Sequence, residues 1–354
     1  MLRLEPRTEA SRLMQWCSPL LAATLTLLAG LAIFWLLDKD PLEGLHYFLV
    51  SPVKDLYGVS ELLLKATPLM LCAIGLAVGF RANVWNIGAE GQFMLGAVGA
   101  SGVALYFAES DSALILPAML LAGALAGALW AAIPAFLRTR FSANEILVSL
   151  MLVYVAQLFV SWLVFGPWRD PMGFGFPQTA MFHDATLLPT LLDGTRLHLG
   201  FVFALGALAL GYVFMNRSYT GFKMRVAGEA AEAARYAGFS TRRVIWIGLL
   251  SGGAAAGVAG MAEVAGPMGQ LTDKLNFGYG FAAIIVAFVG RLHAFGILLA
   301  SLLMALLYIG GEQAQQYMNL PSSISMVFQG LLLFFLLGSD VFIHYRLRIG
   351  RARA

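Results

Sequence analysis

The sequence predicts an all-α, polytopic membrane protein of about ten transmembrane helices, and three observations predict it. Hydrophobic residues make up 59% of the chain and charged residues 12%, with a mean hydropathy of +0.77, whereas soluble globular domains run at about 45–50% apolar and about 25% charged. Apolar runs recur from Leu20 to Gly338 with only short polar breaks. Lysine and arginine concentrate in alternate breaks, as expected of a chain that threads back and forth through a bilayer.

The first run follows Arg3, Arg7 and Arg12 and ends in Asp38-Lys39-Asp40-Pro41, without a small-x-small cleavage pattern. It is long enough to span and reads as a retained first helix, with residues 1–18 on the cytoplasmic side. Because about 20 apolar residues cross a hydrocarbon core of ~30 Å, spans are expected at residues 19–37, 62–80, 93–107, 113–137, 145–165, 197–215, 244–264, 277–290, 295–309 and 324–337. The third and eighth are short. Ten spans put both ends of the chain in the cytoplasm and place 17 of the 23 Lys and Arg residues on that side, in line with the positive-inside rule. Merging residues 277–309 into one span would put Arg346, Arg348, Arg351 and Arg353 outside, against that rule. The whole chain, 1–354, reads as one membrane domain with a cytoplasmic tail at 339–354.

Composition also excludes several classes. The net charge of +3 is a basic cytoplasmic face meeting anionic headgroups, and aromatic and basic residues are not interleaved as a nucleic-acid groove requires. Cys17 and Cys72 lie in or beside apolar runs, and the five histidines are scattered, so neither a disulfide nor a metal site is expected. No HExxH, GxSxG or Walker A pattern occurs, which argues against an intramembrane enzyme and against this chain hydrolysing ATP itself. No catalytic residue or cofactor is assigned.

The break at 166–196, rich in Pro, Gly and aromatics, suits an ordered cap on the outer face, or a docking surface for an external partner. Small residues recur at four-residue spacing, as at Gly96 and Ala100, Gly123 and Gly127, Gly253 and Gly257, and Ala256 and Gly260. In lipid such pairs let helix backbones approach closely.

Two segments concentrate polar groups. Residues 80–92 bring Asn83, Trp85, Asn86, Glu90 and Gln92 between two apolar runs. They form either a cytoplasmic turn that caps the adjoining helices or a broken helix lining a translocation path. At the start of the fifth span, Ser142 or Asn144 can cap the helix and Glu145 suits its positive end, with pathway lining as the alternative for Asn144 and Glu145. Glu263 is the acid deepest in a span. The second segment is the basic cytoplasmic break at 216–243, whose middle, 227–238, reads as a short exposed helix. Glu229 and Glu232 lie early, Arg235 and Tyr236 late, and Gly238 at the C-terminal cap. Its small residues leave little apolar area to insert in a membrane, so it suits docking in a cleft of another protein.

Residues 80–92, together with Asn144-Glu145-Ile146, Leu150-Met151-Leu152 and Glu232-Ala233-Ala234-Arg235-Tyr236-Ala237-Gly238, resemble the permease subunits of ABC importers in the branched-chain amino acid, ribose and nucleoside permease family. The string Asn86-Ile87-Gly88-Ala89-Glu90-Gly91-Gln92 is most similar to the simple-sugar and nucleoside branch. The resemblance implies a type II importer fold with inverted repeats in the bacterial inner membrane. It also implies a second permease subunit (a copy or a paralogue), an external or lipoprotein-type binding protein, and separate ATPase subunits that carry ATP and Mg²⁺. The helix at 229–238 would then couple to the ATPase. Nucleosides are the first expected solute and simple sugars such as ribose the alternative. The chain departs from the branch at Val153, where members often carry Asn. An ion-coupled secondary transporter is a competing class, with Glu263 and Glu90 as its available acids.

Overall fold

The computed structural model describes residues 2–7, 11–275, 277–321 and 323–349. Arg351 and Arg353 of the expected basic tail lie outside the described residues. The element order is β1 (Leu2–Pro6), α1 (Arg12–Leu36), α2 (Pro41–Leu45), α3 (Leu56–Phe80), α4 (Ala89–Tyr106), α5 (Ile115–Phe141), α6 (Glu145–Phe165), α7 (Gly200–Arg217), α8 (Tyr219–Glu229), α9 (Ala231–Tyr236), α10 (Thr241–Glu263), α11 (Tyr279–Val289), α12 (Ala294–Met318), α13 (Ile324–His344) and β2 (Tyr345–Ile349).

Each of the ten expected spans coincides with one helix. Among the described residues, eight helices are long and apolar enough to cross a membrane. The two that are not, α4 and α11, replace the short spans expected at 93–107 and 277–290. The physical reason differs between them. Helix α4 starts four residues earlier than its apolar run, so its first turn carries Glu90 and Gln92. Helix α11 has 11 residues and a length of about 16 Å, near half a hydrocarbon core.

Two further differences concern the polar segments. The single helix expected at 227–238 is two helices, because Ala230 leaves the helical region at φ −147°, ψ 74° and separates α8 from α9. Gly238 does close α9: its N–H donates to Arg235 O at 3.0 Å and that of Phe239 to Ala234 O at 2.9 Å, with Gly238 at φ +77°. That is the left-handed cap only glycine adopts cheaply. Near the termini, β1 and β2 pair antiparallel, Leu2 opposite Ile349, where no strand was expected.

The chain divides into two compact units, residues 1–59 with 306–354, and residues 60–305. In the first, α1 packs along α13. Ser18 Oγ lies 2.8 Å from Ser339 Oγ and donates to Asp340 Oδ1 at 2.5 Å, which satisfies polar groups on two apolar helices. Phe34, Phe48 and Phe328 form the aromatic core of this unit, with ring centroids 4.4 Å apart for Phe48 and Phe328.

In the second unit α4, α5 and α10 form the tightest packing, and glycine makes it possible. A Cβ on Gly257 would collide with Gly123 O and come within 3.2 Å of Gly127 Cα, while one on Gly260 would strike Phe93 O. Helix α3 runs antiparallel against α10 on another side, Gly75 beside Gly252 and Gly79 beside Gly248. The spaced small residues thus form backbone-to-backbone contacts. We expect Gly257→Ala to destabilise the protein by about 1–3 kcal/mol through overpacking. Gly206→Ala in α7, where no atom lies within 4 Å of an added Cβ, should leave stability unchanged or slightly raised, as read by thermal unfolding in detergent.

Candidate functional site

The site is built from the point where α3 ends. Residues 81–83 turn, with Asn83 left-handed at φ 55°, and residues 84–88 run without helix. Five extended residues reach at most about 17 Å. This run does not leave the protein. Val84 lies against Gly79 and Gly248, Asn86 against Gly252, and Gly88 against Ser149, so the chain folds back between α3, α10 and α6 before α4 begins. Of the two readings of 80–92, a turn therefore describes only its first residues, and Val84, Asn86 and Gly88 of the rest are buried.

Irregular backbone in such a place must satisfy its own polar groups. The buried side chains of Asn86 and Gln92 first satisfy each other as a closed amide pair, Asn86 Nδ2 donating to Gln92 Oε1 at 2.8 Å and Gln92 Nε2 to Asn86 Oδ1 at 3.0 Å. The N–H of Gly88 donates to Asn86 Oδ1 at 3.0 Å and that of Ile87 to Ser149 Oγ at 3.2 Å. Trp85 Nε1 donates to Asn83 Oδ1 at 2.8 Å, and its indole stacks on Phe288, ring centroids 5.6 Å apart.

At the end of this run sits Glu90, fully buried. Its carboxylate accepts the N–H of Gly278 at 2.8 Å and of Gly280 at 2.5 Å. Helix α11 starts there, capped locally only by Gly278 at φ 74° with no side chain to offer. The orphan donors of its first turn are met by a carboxylate from another helix, which also faces the positive end of its own. A Cβ on Gly280 would strike the backbone of Glu90. Two helices therefore meet head to head at one buried acidic side chain.

The remaining expected residues are placed elsewhere. Asn144 caps α6, its Oδ1 accepting the N–H of Ile146 at 2.9 Å and of Leu147 at 3.4 Å, whereas Ser142 is the left-handed C-cap of α5. Glu145 pairs with Arg138. Neither is brought to Glu90. Val153 is buried and packs against Gly91 of α4, whose added Cβ would meet Val153 Cα at 3.0 Å. Glu263 is half-buried and within the fields of Lys65 and Arg196, and Arg196 also pairs with Glu61. The expected cap at 166–196 is tied to the segment after α10 by Leu188 N–H to Ala265 O at 2.7 Å and Thr179 N–H to Leu271 O at 3.0 Å, with Phe174 exposed.

On α8 and α9, Glu229, Glu232, Arg235, Tyr236 and Gly238 are all exposed, Tyr236 at 97%. Glu232 and Arg235 form an ion pair at 2.9 Å across one turn. Beside α8 lies a cavity of about 580 Å³, lined among others by Arg81, Asn83, Asn216, Arg225, Glu229 and Arg291. Burial, and after it the charge of Arg225, hold the Arg81 guanidinium below its usual range. Sequence reading missed Gly278, Gly280 and Ser149. Their one signal is Gly278-Tyr279-Gly280 opening an unusually short apolar run.

The family described as branched-chain amino acid transport system, permease component, matches residues 58–337. The chain belongs to this family. The permease is a multi-pass membrane component of an ABC transporter and not an enzyme. It is 36% identical to the glucose ABC transporter permease protein TsgB13 of Haloferax volcanii, over 98% of its own length and 94% of that protein's. It is 31% identical to the guanosine ABC transporter permease protein NupP of Bacillus subtilis, covering 93% of this permease and 94% of that relative. The putative glucose permease TsgC13 of Haloferax volcanii is 26% identical, over 68% and 73% of the two chains. No solved structure matches.

Removing the Glu90 carboxylate from the permease would leave two buried N–H groups unsatisfied at about 1–3 kcal/mol each. We expect Glu90→Ala to lower the unfolding midpoint and abolish uptake, while Glu90→Gln, which keeps one carbonyl acceptor, retains part of both. Uptake assays in cells with matched membrane levels of each variant check this ordering.

Proposed function

We propose that this permease translocates a neutral, hydroxyl-rich solute, a simple sugar, by alternating access driven by separate ATPase subunits. The observation that carries the solute class is the occupancy of the helix N-termini at Glu90. Discontinuous helices in transporters commonly aim their positive ends at an anionic group of the substrate. Here the chain supplies that anion itself through Gly278 and Gly280, so no uncompensated positive end is left there for an amino-acid carboxylate. Sequence reading put nucleosides first and sugars second. The relative at 36% identity carries glucose in its name and the one at 31% guanosine, and this moves the weight to sugar.

The inverted-repeat reading supports ten membrane-embedded segments instead of eight. Taken in order, α3 to α6 and α10 to α13 form two halves of four, and α4 and α11 are the second member of each. Short segments at corresponding positions of two repeats point to the substrate site. The antiparallel contact of α3 with α10 fits the same pseudo-two-fold relation. In this reading α4 and α11 each cross part of the bilayer, and both chain ends are cytoplasmic.

For coupling, the exposed α9 with Glu232, Arg235 and Tyr236 docks in a groove of the ATPase, which holds ATP and Mg²⁺. The left-handed cap at Gly238 and the aromatic contact of Tyr219 with Phe239, ring centroids 6.5 Å apart, fix its pose. A glucose permease and a putative glucose permease of one organism both resemble this chain, which supports a second, paralogous permease in the complex. The external cap is the surface offered to a binding protein.

In proteoliposomes of the full complex with its binding protein, glucose should stimulate ATP hydrolysis several-fold and guanosine should not. Stimulation by guanosine alone would return the reading to nucleosides. A cysteine at Ala231 should crosslink to the ATPase subunit, whereas one at exposed Leu205 should not. Uptake that persists without ATP and collapses with an ionophore would contradict the coupling.

A further inference from the structure

The arginine-lined cavity beside α8 takes no part in the proposed transport path or in the coupling contact. Three guanidinium groups, Arg81, Arg225 and Arg291, face about 580 Å³ together with the amides of Asn83 and Asn216 and one acid, Glu229. The side-chain charge around the cavity is therefore net positive. Such a cluster is self-repelling, and the folded chain leaves part of it unmet: among the described residues Arg225 makes no hydrogen bond or ion pair.

The walls are fixed. Arg81 Nε donates to Leu292 O at 3.0 Å and its Nη1 to Asn216 Oδ1 at 3.1 Å. Arg291 and Leu292 hold consecutive left-handed conformations at φ 56° and 52°, with Asn83 at φ 55°. Runs of strained non-glycine residues cluster at ligand clamps and switch regions. Gly228 packs directly on Arg81, since a Cβ there would collide with Arg81 O. Three separate chain segments thus converge on one preformed cavity of the size that holds a small ligand.

We propose that this cavity is an anion site that takes a phosphate group, as a phosphomonoester or inorganic phosphate from solution or as the headgroup of an anionic phospholipid. Guanidinium forks match the tetrahedral oxygens of phosphate, a phosphomonoester or inorganic dianion balances the excess of three arginines over one acid while a phosphodiester headgroup halves it, and the amide of Asn83 adds a donor. A bound phosphate ties α8 to the turn after α3 and to the turn between α11 and α12. Occupancy therefore sets how freely α8 moves relative to the helix pair joined at Glu90. The proposal does not depend on which solute is carried.

The test uses the purified transporter complex in nanodiscs of phosphatidylcholine alone or with one-third phosphatidylglycerol. In phosphatidylcholine discs, millimolar inorganic phosphate should raise the permease unfolding midpoint by about 2–4 °C over chloride at equal ionic strength. If the lipid is the source, phosphatidylglycerol discs show the raised midpoint without phosphate and added phosphate does nothing more. If the soluble anion is the source, phosphate acts equally in both discs. Arg225→Gln should abolish whichever shift is seen, Arg225→Lys should keep a reduced one, and Arg140→Gln, at the exposed end of α5 and outside the cavity lining, should keep it all. Absence of any shift with either probe, or a shift unchanged in Arg225→Gln, overturns the proposal.

Discussion

A single buried carboxylate organises the second unit of this permease. Glu90 sits in the first turn of α4 and accepts hydrogen bonds from the first N–H groups of α11, so one charge serves the positive ends of two helices. Charge-assisted hydrogen bonds away from water are stronger than neutral ones. Without this contact α11 has no cap and α4 begins on an isolated buried acid. With it, each corrects the deficiency of the other.

The rest of the second unit holds that contact in place. The backtracking run at 84–88 carries no regular hydrogen bonding, and it is tolerated because Ser149 Oγ and Asn86 Oδ1 accept the N–H groups of Ile87 and Gly88, while Gln92 pairs with the Asn86 amide. Its entry between α3, α6 and α10 requires thin neighbours, which glycine supplies at 79, 248 and 252. Glycine at 280 then lets the two backbones touch at Glu90. Helix packing through small residues and polar satisfaction through amides are therefore one design, since widening either contact would uncouple the other.

Much of this was legible in the sequence. Hydropathy located the eight helices that are long and apolar enough to cross a membrane, because about twenty apolar residues have few alternatives to spanning, and the repeated small residues announced the α4–α5–α10 contacts. The cluster at 80–92 was visible as polar residues trapped between apolar runs, yet its path was not, because the same residues suit a turn or a broken helix. Gly278 and Gly280 were invisible as partners: nothing local marks a glycine whose N–H will meet a carboxylate 188 residues earlier in the chain. Asn144 and Glu145 look alike whether they cap or line a path, and only the placement of Arg138 separates those roles. The break at Ala230 escaped notice because alanine is the best helix former in isolation, and the divided shape of α8 and α9 is imposed by contacts such as Gly228 on Arg81.

The central claim is that Glu90 supplies the anion needed where α4 and α11 meet. Chemical rescue tests it most directly: in the complex carrying Glu90→Gly, uptake is measured with increasing formate at constant ionic strength. Formate should restore a substantial fraction of the lost uptake in the variant and leave the native permease unchanged. Native-like uptake by Glu90→Gly without any added anion would contradict it.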